Sequence, residues 1–500
     1  ATITVTVDAS TILTKISPCL LGNNANPYMT QMVTEPALLT HITNLHPKII
    51  RFPGGNLSSV YFWNAAPGNP PADAPSKLLD ADGNEIDPGY WYGKNTDSWT
   101  ISLDNYYNML QQTNNEGIIT VNYAYARYST AANPVAAAAH LAADWIRYDN
   151  GRTKYWEIGN ESNGTWQAGY RIDVSQNKDG QTEIITGDLY GRHFKIFADS
   201  MRAAATEIGK TIYIGAQLLD AAPQSWQDAT DQTWNSGVLS EAGSNADYFI
   251  VHDYFTPYQQ NSSAADILAT APAVTKSIMD YLNQTTTSAG VSLKPVALTE
   301  WNIFAEGSMQ MVSNVAGMHA VMVLGELMKN KFGEASRWDL ANGWDNGNDQ
   351  GLFSNGDEPN VARWTPRPAF YYMYFFKQML GDRFINSAVS GSNSIVTYAS
   401  TYSSGEINVT LVNTSSSAQI VKLAFKNFNV GNRFYWYTLV GGTDNNGFSR
   451  KVFVNGQGPS SVAGGPDNYT TLKAYSSIAQ SGIQITLPPM SVVCTAVDKK

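Results

Sequence analysis

Residues 154–167 read KYWEIGNESNGTWQ, and this stretch decides the fold. Its first part, 154–158, is a short run rich in aromatic and β-branched residues, which predicts a buried strand. Gly159 and Asn160 then break the run, and the carboxylate Glu161 follows at once. An acid placed just beyond the end of a buried strand indicates a parallel α/β fold, whose functional groups gather at the carboxyl ends of the strands.

Seven further strand-like runs flank this stretch and alternate with helical patterns over residues 16–384. Eight such strands predict a parallel (β/α)₈ TIM barrel, with residues 154–158 as its fourth strand. The eight strands are predicted at 16–22, 48–52, 117–123, 154–158, 211–216, 248–252, 295–301 and 337–340. The clearest helical patterns between them cover 134–148, 189–208, 264–282 and 312–329.

The pattern changes from about residue 385 onward. Runs such as EINVTLVN and GIQITLPP alternate apolar with polar residues and are separated by Gly, Ser and Asn turns. This alternation is typical of antiparallel strands with one buried face. The first residues, ATITVTVDAS, alternate in the same way. We therefore predict a C-terminal antiparallel β-sandwich over residues 385–500 that residues 1–15 join as an added strand.

Composition limits the possible partners of the chain. The net charge of −10 repels phosphate backbones and argues against a nucleic-acid partner. The sequence has no long uncharged apolar run, so no membrane span is predicted. Aromatic residues make up 12% of the chain, which suits a carbohydrate ligand because sugar rings present flat C–H faces. The same rings would also fill a large core. An uncharged polysaccharide or oligosaccharide is the expected partner, and the oligomeric state stays open.

No cofactor or metal is predicted. The six histidines lack metal-binding spacing, no G-x-S-x-G or dinucleotide-binding motif occurs, and the acidic loop 345–351 is interpreted as a solvated turn rather than a calcium loop. Cys19 and Cys494 would either form one bridge, if the two ends of the chain meet, or remain two buried thiols. Because Ala1 begins directly in a strand, we expect a secreted chain from which a targeting segment has been removed; a truncated chain would look identical.

Two carboxylates carry the chemical argument. Glu161 follows the fourth predicted strand, and Glu300 ends the seventh in the stretch 294–304, KPVALTEWNIF. Strands four and seven lie on facing sides of a barrel mouth. Cleavage of a glycosidic bond with retention of configuration requires two carboxyl groups about 5 Å apart, one as acid/base and one as nucleophile. Each Glu alone could be a helix cap, but the pair together favours this chemistry.

These motifs resemble those of the clan A retaining glycoside hydrolases, and among them family 51, which contains arabinofuranosidases and endoglucanases. The similar stretches are RFPGGN at 51–56, GNESNGTWQ at 159–167 and TEWN at 299–302, with a further likeness over 365–383. The resemblance implies Glu161 as general acid/base and Glu300 as nucleophile. Two departures concern specificity: Asn163 and Thr165 stand where the family usually has Asp and Pro.

Further site residues follow from their places at strand ends. Arg51 is expected to hydrogen-bond Glu300, although it could also be a buried structural ion pair. Asn160 is expected to contact the sugar 2-hydroxyl, and Asn56 to reach the sugar or Glu300. The substrate-binding candidates at the end of strand six are His252 and Tyr254. The candidate sugar platforms, each of which could instead be a core residue, are Trp166, Trp301, Trp344 and Trp63.

The chain is therefore interpreted as a retaining O-glycoside hydrolase of plant cell-wall polysaccharides. Our first expectation is an endo-acting enzyme on β-1,4-glucan or xylan. The alternatives are an exo-acting α-L-arabinofuranosidase and a non-catalytic carbohydrate-binding protein on a hydrolase-like barrel. The long loops at 67–100 and 341–363 suit either a groove or a closed pocket. We also expect the pKa of Glu161 to be raised before the glycosyl-enzyme forms.

Overall fold

Eight parallel strands close into a barrel in the computed structural model, which describes residues 2–500. Neighbouring strands in the sequence are also neighbours in the barrel, and the eighth strand pairs with the first. The predicted (β/α)₈ barrel is confirmed. In order, the strands are Gly22–Asn24, Ile49–Phe52, Glu116–Val121, Tyr155–Ile158, Tyr213–Gln217, Tyr248–Tyr254, Val296–Asn302 and Glu334–Arg337.

The first and last barrel strands differ from the prediction by several residues. In place of a strand over 16–22, a 3₁₀ helix covers Pro18–Leu21, because Pro18 has no N–H to donate to a ladder and the Ser17 hydroxyl caps the turn. The eighth strand begins at Glu334, three residues before the predicted start. Glu334 and Ser336 are polar residues buried in the barrel, and they hide the apolar pattern by which a strand is recognised.

Helices follow the barrel strands and cover the outside of the barrel, as predicted. The α-helices over residues 2–500 are Pro36–Leu45, Leu103–Thr113, Tyr125–Tyr128, Pro134–Asp149, Gly187–Glu207, Ala229–Ala242, Ala264–Ser288, Asn314–Lys329 and Pro368–Met379. Short 3₁₀ helices lie at Pro18–Leu21, Asn56–Val60, Gln310–Val312, Asp345–Gly347 and Asn445–Gly447. Within this part of the chain, none of the helices combines the length and apolar character that a bilayer crossing requires.

The predicted sandwich is a mostly antiparallel sheet, and the first strand of the chain lies inside it. Ile3–Lys15 pairs antiparallel with Arg383–Ser390 on one side and parallel with Gln419–Lys426 on the other. In the described residues the sheet order is Val452–Val454, Val430–Gly441, Ser491–Lys499, Ile407–Asn413, Ile395–Thr401, Arg383–Ser390, Ile3–Lys15, Gln419–Lys426 and Ile483–Leu487, with Tyr475–Ile478 also paired to Val430–Gly441. The two-residue ladders are Tyr61–Phe62 with Trp91–Tyr92, Leu78–Leu79 with Glu85–Ile86, and Ala341–Asn342 with Phe353–Ser354.

Apolar packing joins the sandwich to the barrel. One cluster holds most of the barrel core and extends to sandwich residues such as Leu439 and Val492, while a second cluster fills the inside of the sandwich. Cys494 belongs to the first of these clusters and Cys19 to a small cluster beside the barrel strands, and both are free thiols. Burial raises the pKa of Cys19 to about 11 and that of Cys494 to about 12. The division at residues 15/16 and 384/385 stays a prediction.

The first strand should contribute measurably to stability. Val5 is fully buried in the sandwich core, whereas its neighbour Thr4 is only partly buried. Val5→Ala is expected to lower the free energy of unfolding by about 2 kcal/mol, because it removes buried methyl groups and leaves a cavity. Thr4→Ala is the matched control, with a change below about 0.5 kcal/mol. Equal thermal midpoints for wild type and Val5→Ala would contradict the burial of this strand.

Candidate active site

Two carboxylates and an imidazole meet at the barrel mouth. Oxygens of Glu161 and Glu300 and a ring nitrogen of His252 lie within 4.8 Å of one another. Glu161 comes from the loop after strand four, His252 from strand six and Glu300 from strand seven. This spacing between carboxylates leaves room for a sugar carbon between them but not for an extra water, as in retaining glycosidases, whose carboxyl groups are about 5 to 5.5 Å apart.

The backbone around Glu161 is held in an uncommon conformation. Glu161 has φ 44°, in the left-handed region that costs a residue with a side chain about 1–3 kcal/mol. Gly159 has φ 78°, and a Cβ there would come within 2.7 Å of Ser162 Oγ and 2.9 Å of Tyr123 Cβ. The Ser162 N–H donates to Gln217 Oε1 at 2.6 Å, which fixes the turn. The loop therefore aims the Glu161 side chain into the mouth at the expense of local strain.

Two donors bind the carboxylate of Glu300. Arg51 Nη1 donates to Oε1 at 2.9 Å, and the Tyr254 hydroxyl donates to Oε2 at 2.7 Å. A cation and a phenol that both donate to a carboxylate stabilise its negative charge and fix its orientation. Glu300 is almost completely buried, so this pair of contacts determines which oxygen faces the mouth. The predicted contact between Arg51 and Glu300 is present.

Arg51 is itself held by a second carboxylate that sequence reasoning did not single out. Its Nε donates to Glu157 Oε1 at 2.5 Å, and Glu157 also accepts from the Thr120 hydroxyl at 2.6 Å. Both side chains are buried. Burial by itself would lower the pKa of Arg51, but the charges of Glu157 and Glu300 outweigh it and raise that pKa. Burial by itself would raise the pKa of Glu157, but the charges of Arg51 and His252 lower it below its usual value.

Glu334 lies in the same barrel interior and has the opposite character. It is buried, and among residues 2–500 only the Ser336 hydroxyl donates to it. Burial, reinforced by the charge of Glu157, holds the pKa of Glu334 well above its usual value despite the bond from Ser336. The interior of the barrel thus holds two acids, Glu157 and Glu334, whose pKa values are shifted in opposite directions.

Glu161 and His252 act as a coupled pair. His252 Nδ1 lies 2.8 Å from Glu161 Oε2 and 3.7 Å from Glu300 Oε2, and its Nε2 lies 2.8 Å from Thr299 Oγ1. Burial would lower the pKa of His252, but the neighbouring charges of Glu300 and Glu161 raise it above its usual value. Burial would raise the pKa of Glu161, but the contacts with His252 and Trp166 lower it. The expected raised pKa of Glu161 is thus wrong for the unliganded protein.

The side-chain amide of Asn160 has two polar groups, and Arg51 contacts one of them. Its Oδ1 accepts from Arg51 Nη2 at 2.7 Å, so the orientation of the amide is fixed by the same guanidinium that holds Glu300. Its Nδ2 is buried and has no partner among residues 2–500. An unpartnered buried donor beside a catalytic pair is costly unless a ligand satisfies it. This geometry fits the predicted contact with a sugar hydroxyl.

The carboxylate pair opens into a cavity of about 920 Å³ with aromatic walls. Predicted residues that line it are Asn56, Trp166 and Tyr254, together with the two glutamates. Trp166 donates from Nε1 to Glu161 Oε1 at 2.9 Å and leaves 58% of its surface exposed. Asn56 accepts from Gln167 Nε2 at 2.6 Å. The lining residues that sequence reasoning missed are Tyr28, Leu57, Trp91, Tyr258, Phe304, Trp338 and Gln350.

Three of the tryptophans predicted as sugar platforms lie outside the lining of this cavity and pack elsewhere. Trp301 is 1% exposed and contacts Phe255 and Arg337, because successive strand residues point to opposite faces and Glu300 takes the inner one. Trp344 lies beside the guanidinium groups of Arg367 and Arg450. Trp63 is also buried and stacks on Trp145.

The same three groups at the mouth also offer ligand atoms to a metal ion. Glu161, His252 and Glu300 could each contribute one atom. The Arg51 guanidinium, 2.9 Å from Glu300, opposes a second cation there, and the absence of a metal stays a prediction. In the acidic loop, Asp349 is buried and forms a 2.6 Å ion pair with Arg367, so the interpretation of this loop as a solvated turn is wrong at that residue.

The barrel, with a carboxylate pair at the ends of strands four and seven, resembles the clan A O-glycoside hydrolases. A family model described as the alpha-L-arabinofuranosidase 1 domain matches residues 41–262. The predicted resemblance to clan A enzymes close to family 51 is confirmed.

Two curated relatives are similar to about half of the chain. An intracellular exo-alpha-(1->5)-L-arabinofuranosidase of Acetivibrio thermocellus is 27% identical over 46% of this chain and 40% of its own length. An intracellular exo-alpha-(1->5)-L-arabinofuranosidase 1 of Bacillus subtilis is 24% identical over 53% of this chain and 48% of its own. The matched part of the chain thus spans less than half the length of these relatives. Because both are named intracellular, as are three further relatives, the predicted secretion is wrong.

Solved structures share the whole fold. An alpha-L-arabinofuranosidase of Thermotoga maritima, in complex with arabinose, has a TM-score of 0.67 at 18% identity and covers 99% of this chain and 100% of its own. A bifunctional glucanase-xylanase from a metagenome library has a TM-score of 0.65 at 14% identity and covers 100% and 99%. The fold is therefore common to enzymes described with different substrates.

The pKa of His252 can distinguish the electrostatic effects of the two buried acids, Glu157 and Glu334. Glu157→Gln removes a negative charge that stabilises the protonated imidazole, so the pKa of His252 is expected to fall. Glu334→Gln removes an acid whose raised pKa disfavours its charged form, so it should change the pKa of His252 less than Glu157→Gln does. Histidine-labelled protein titrated by NMR measures both, with His252→Gln to assign the signal among the six histidines. Equal shifts in the two variants would contradict the opposite pKa shifts of the two acids.

Proposed function

We propose that this chain is a retaining O-glycoside hydrolase that releases terminal α-L-arabinofuranosyl residues. The observation that carries the proposal is the pair Glu161 and Glu300, whose oxygens approach within 4.8 Å at the barrel mouth. A pair at this spacing supports a double displacement through a covalent intermediate. The non-catalytic alternative has no support from the site, because both acids and the groups that orient them are in place.

Glu300 is the proposed nucleophile. Its carboxylate attacks the anomeric carbon while Glu161 donates a proton to the departing oxygen, and a glycosyl-enzyme forms. Arg51 and Tyr254 each donate to one oxygen of Glu300, so the attacking carboxylate needs little reorientation. Glu161 then removes a proton from water, which attacks the same carbon and restores Glu300. Asn160 is placed to hydrogen-bond the sugar 2-hydroxyl during both steps.

His252 gives the acid its proton. With the pKa of Glu161 lowered and that of His252 raised, the proton shared by the pair resides mainly on the imidazole before substrate binds. Transfer across the 2.8 Å contact protonates Glu161 and leaves a neutral imidazole. When Glu300 becomes esterified, it loses its negative charge. Glu161 and His252 then no longer have beside them the carboxylate that favoured their protonated forms. This change helps Glu161 to act as a base in the second step.

The relatives favour an arabinofuranosyl substrate over the first expectation from sequence. The curated relatives are named exo-acting arabinofuranosidases, and they give no support to an endo-acting enzyme on β-1,4-glucan or xylan. The expectation of cellulase or xylanase activity is likewise unsupported. The fold alone does not discriminate, since a glucanase-xylanase shares it. We therefore propose that the sugar released by hydrolysis is an arabinofuranosyl group.

The substrate is tested by comparing an aryl α-L-arabinofuranoside and arabinan with carboxymethyl cellulose and xylan. We expect free arabinose from the first two with little fall in viscosity, and no oligosaccharide ladder from the last two. ¹H NMR of the first-formed sugar should show the α-anomer, since two inversions restore the configuration. A ladder with a rapid loss of viscosity, or a β-anomeric first product, would overturn this proposal.

Azide rescue of alanine variants distinguishes the proposed roles of Glu161 and Glu300. Glu161→Ala should slow hydrolysis by about 10²–10⁴-fold, least for substrates with good leaving groups, and azide should restore turnover as an arabinosyl azide of retained configuration. Glu300→Ala should abolish turnover, and azide should give the inverted product. Arabinosyl azides of the opposite configurations would mean that the two roles are exchanged.

The pH profile should depend on His252. Hydrolysis requires one proton on the pair of Glu161 and His252, so activity is lost as the pH rises through the raised pKa of the imidazole. In His252→Gln the proton dissociates from a carboxyl group alone, whose usual pKa is lower, so the basic limb of kcat/KM should move to lower pH. An unchanged basic limb in a variant that binds substrate normally would exclude this role.

A further inference from the structure

The cavity over the catalytic pair continues into exposed aromatic rings on one side of the mouth. Trp91 lines the cavity and comes from the long loop after strand two. The ring of Trp99, in the same loop, lies 5.6 Å from that of Trp91 at an interplanar angle of 66°. Trp99 nevertheless leaves 54% of its surface exposed. Its free face is thus a direct outward extension of the cavity wall.

Hydrogen bonds fix this side of the mouth. The hydroxyl of Thr100, next to Trp99, donates to the Pro27 carbonyl at 2.5 Å, and Ile101 N donates to the same carbonyl at 3.0 Å. Gln31 Nε2 donates to the Asp97 carbonyl at 2.9 Å. The segment is therefore bound to the loop after strand one on both sides of Trp99. The indole is presented to solvent by an ordered loop rather than left there by a loose one.

The opposite side of the mouth carries a second aromatic series. Tyr258, which is 66% exposed, packs edge-on against Phe304 at 4.9 Å, and Phe304 stacks on Tyr254 at 4.5 Å. Tyr254 donates to Glu300, so the series runs from the nucleophile to the surface. Asn261 and Glu306 exchange hydrogen bonds of 2.8 and 3.0 Å that fasten the two loops together.

The two aromatic sides face each other across the catalytic pair. Trp99 follows strand two and Tyr258 follows strand six, and strands two and six are diametrically opposed in a closed eight-stranded barrel. Exposed aromatic rings lose apolar contact with the rest of the protein and are typical of surfaces that bind a ligand. A ligand that contacts both sides must cross the mouth. Trp99 lies outside the lining of the cavity, and the exposed part of Tyr258 extends beyond it.

We propose that Trp99 and Tyr258 bind the main chain of a polysaccharide whose arabinofuranosyl side group enters the cavity. This inference rests on the proposed function and adds the substrate class: a branched polymer rather than a short oligosaccharide. Sugar rings of the main chain stack on the two outer faces, to either side of the branch point. An uncharged chain also fits the aromatic character of both sides and the net charge of −10.

The test compares polymer with a small glycoside in Trp99→Ala, Tyr258→Ala and the double variant. For each single change we expect kcat/KM on arabinoxylan, relative to kcat/KM on an aryl arabinofuranoside, to fall about five- to tenfold, mainly through KM, which corresponds to about 1–1.4 kcal/mol. The double variant should lose about the product of the two. Tyr475→Ala, which removes a ring on the sandwich that is 46% exposed, is the control and should keep the ratio of wild type.

Binding without turnover separates this inference from the proposed function. In a Glu300→Gln background, native electrophoresis through gels that contain arabinoxylan should retard the protein, and the two substitutions should abolish the retardation. Retardation that persists in the double variant would overturn the inference, as would an equal loss on polymer and aryl glycoside. If the wild type hydrolyses no arabinofuranoside yet is retarded through the two rings, the proposed function fails and the polymer surface stands.

Discussion

The guanidinium of Arg51 is the constraint on which the site depends. It lies fully buried between Glu157 and Glu300 and also donates to Asn24 and Asn160. A cation without solvent is tolerated only when charged and polar acceptors surround it, and here those acceptors come from strands one, four and seven and from the loop after strand four. The proposed nucleophile Glu300, the amide of Asn160 and three strands of the barrel are thus held by one group. Loss of any one acceptor of Arg51 would therefore change the electrostatic environment of the other acceptors.

Much of this arrangement was predictable from the sequence, because strand ends in a parallel barrel converge. Glu161, Glu300, Arg51, Asn160, His252 and Tyr254 were recognised as strand-end residues, and the structure brings all six together. The alternation of the first residues likewise predicted their place in the sandwich. In both cases a local pattern suffices, since the geometry of a strand dictates the direction of each side chain.

What could not be predicted depends on contacts between distant segments. The outer wall of the cavity is built from loops after strands one, two, six, seven and eight, whose relative positions no periodic pattern encodes. Glu157 was passed over because its run reads as an ordinary buried strand, and its partner Arg51 lies 106 residues away. Trp301 is a different case: strand alternation places it behind Glu300, so the sequence alone could have excluded it. The lowered pKa of Glu161 required the position of His252, which spacing does not supply.

The position of the first strand also sets an order of events during synthesis. Ile3–Lys15 is made several hundred residues before its two neighbours in the sheet, Arg383–Ser390 and Gln419–Lys426. At about 5–20 residues per second, several hundred residues correspond to roughly 20–80 s on the ribosome. During that time the barrel can assemble, while Ile3–Lys15 remains an apolar strand with two unpaired edges. Such a strand is a site where a chaperone or a second nascent chain can pair with the protein.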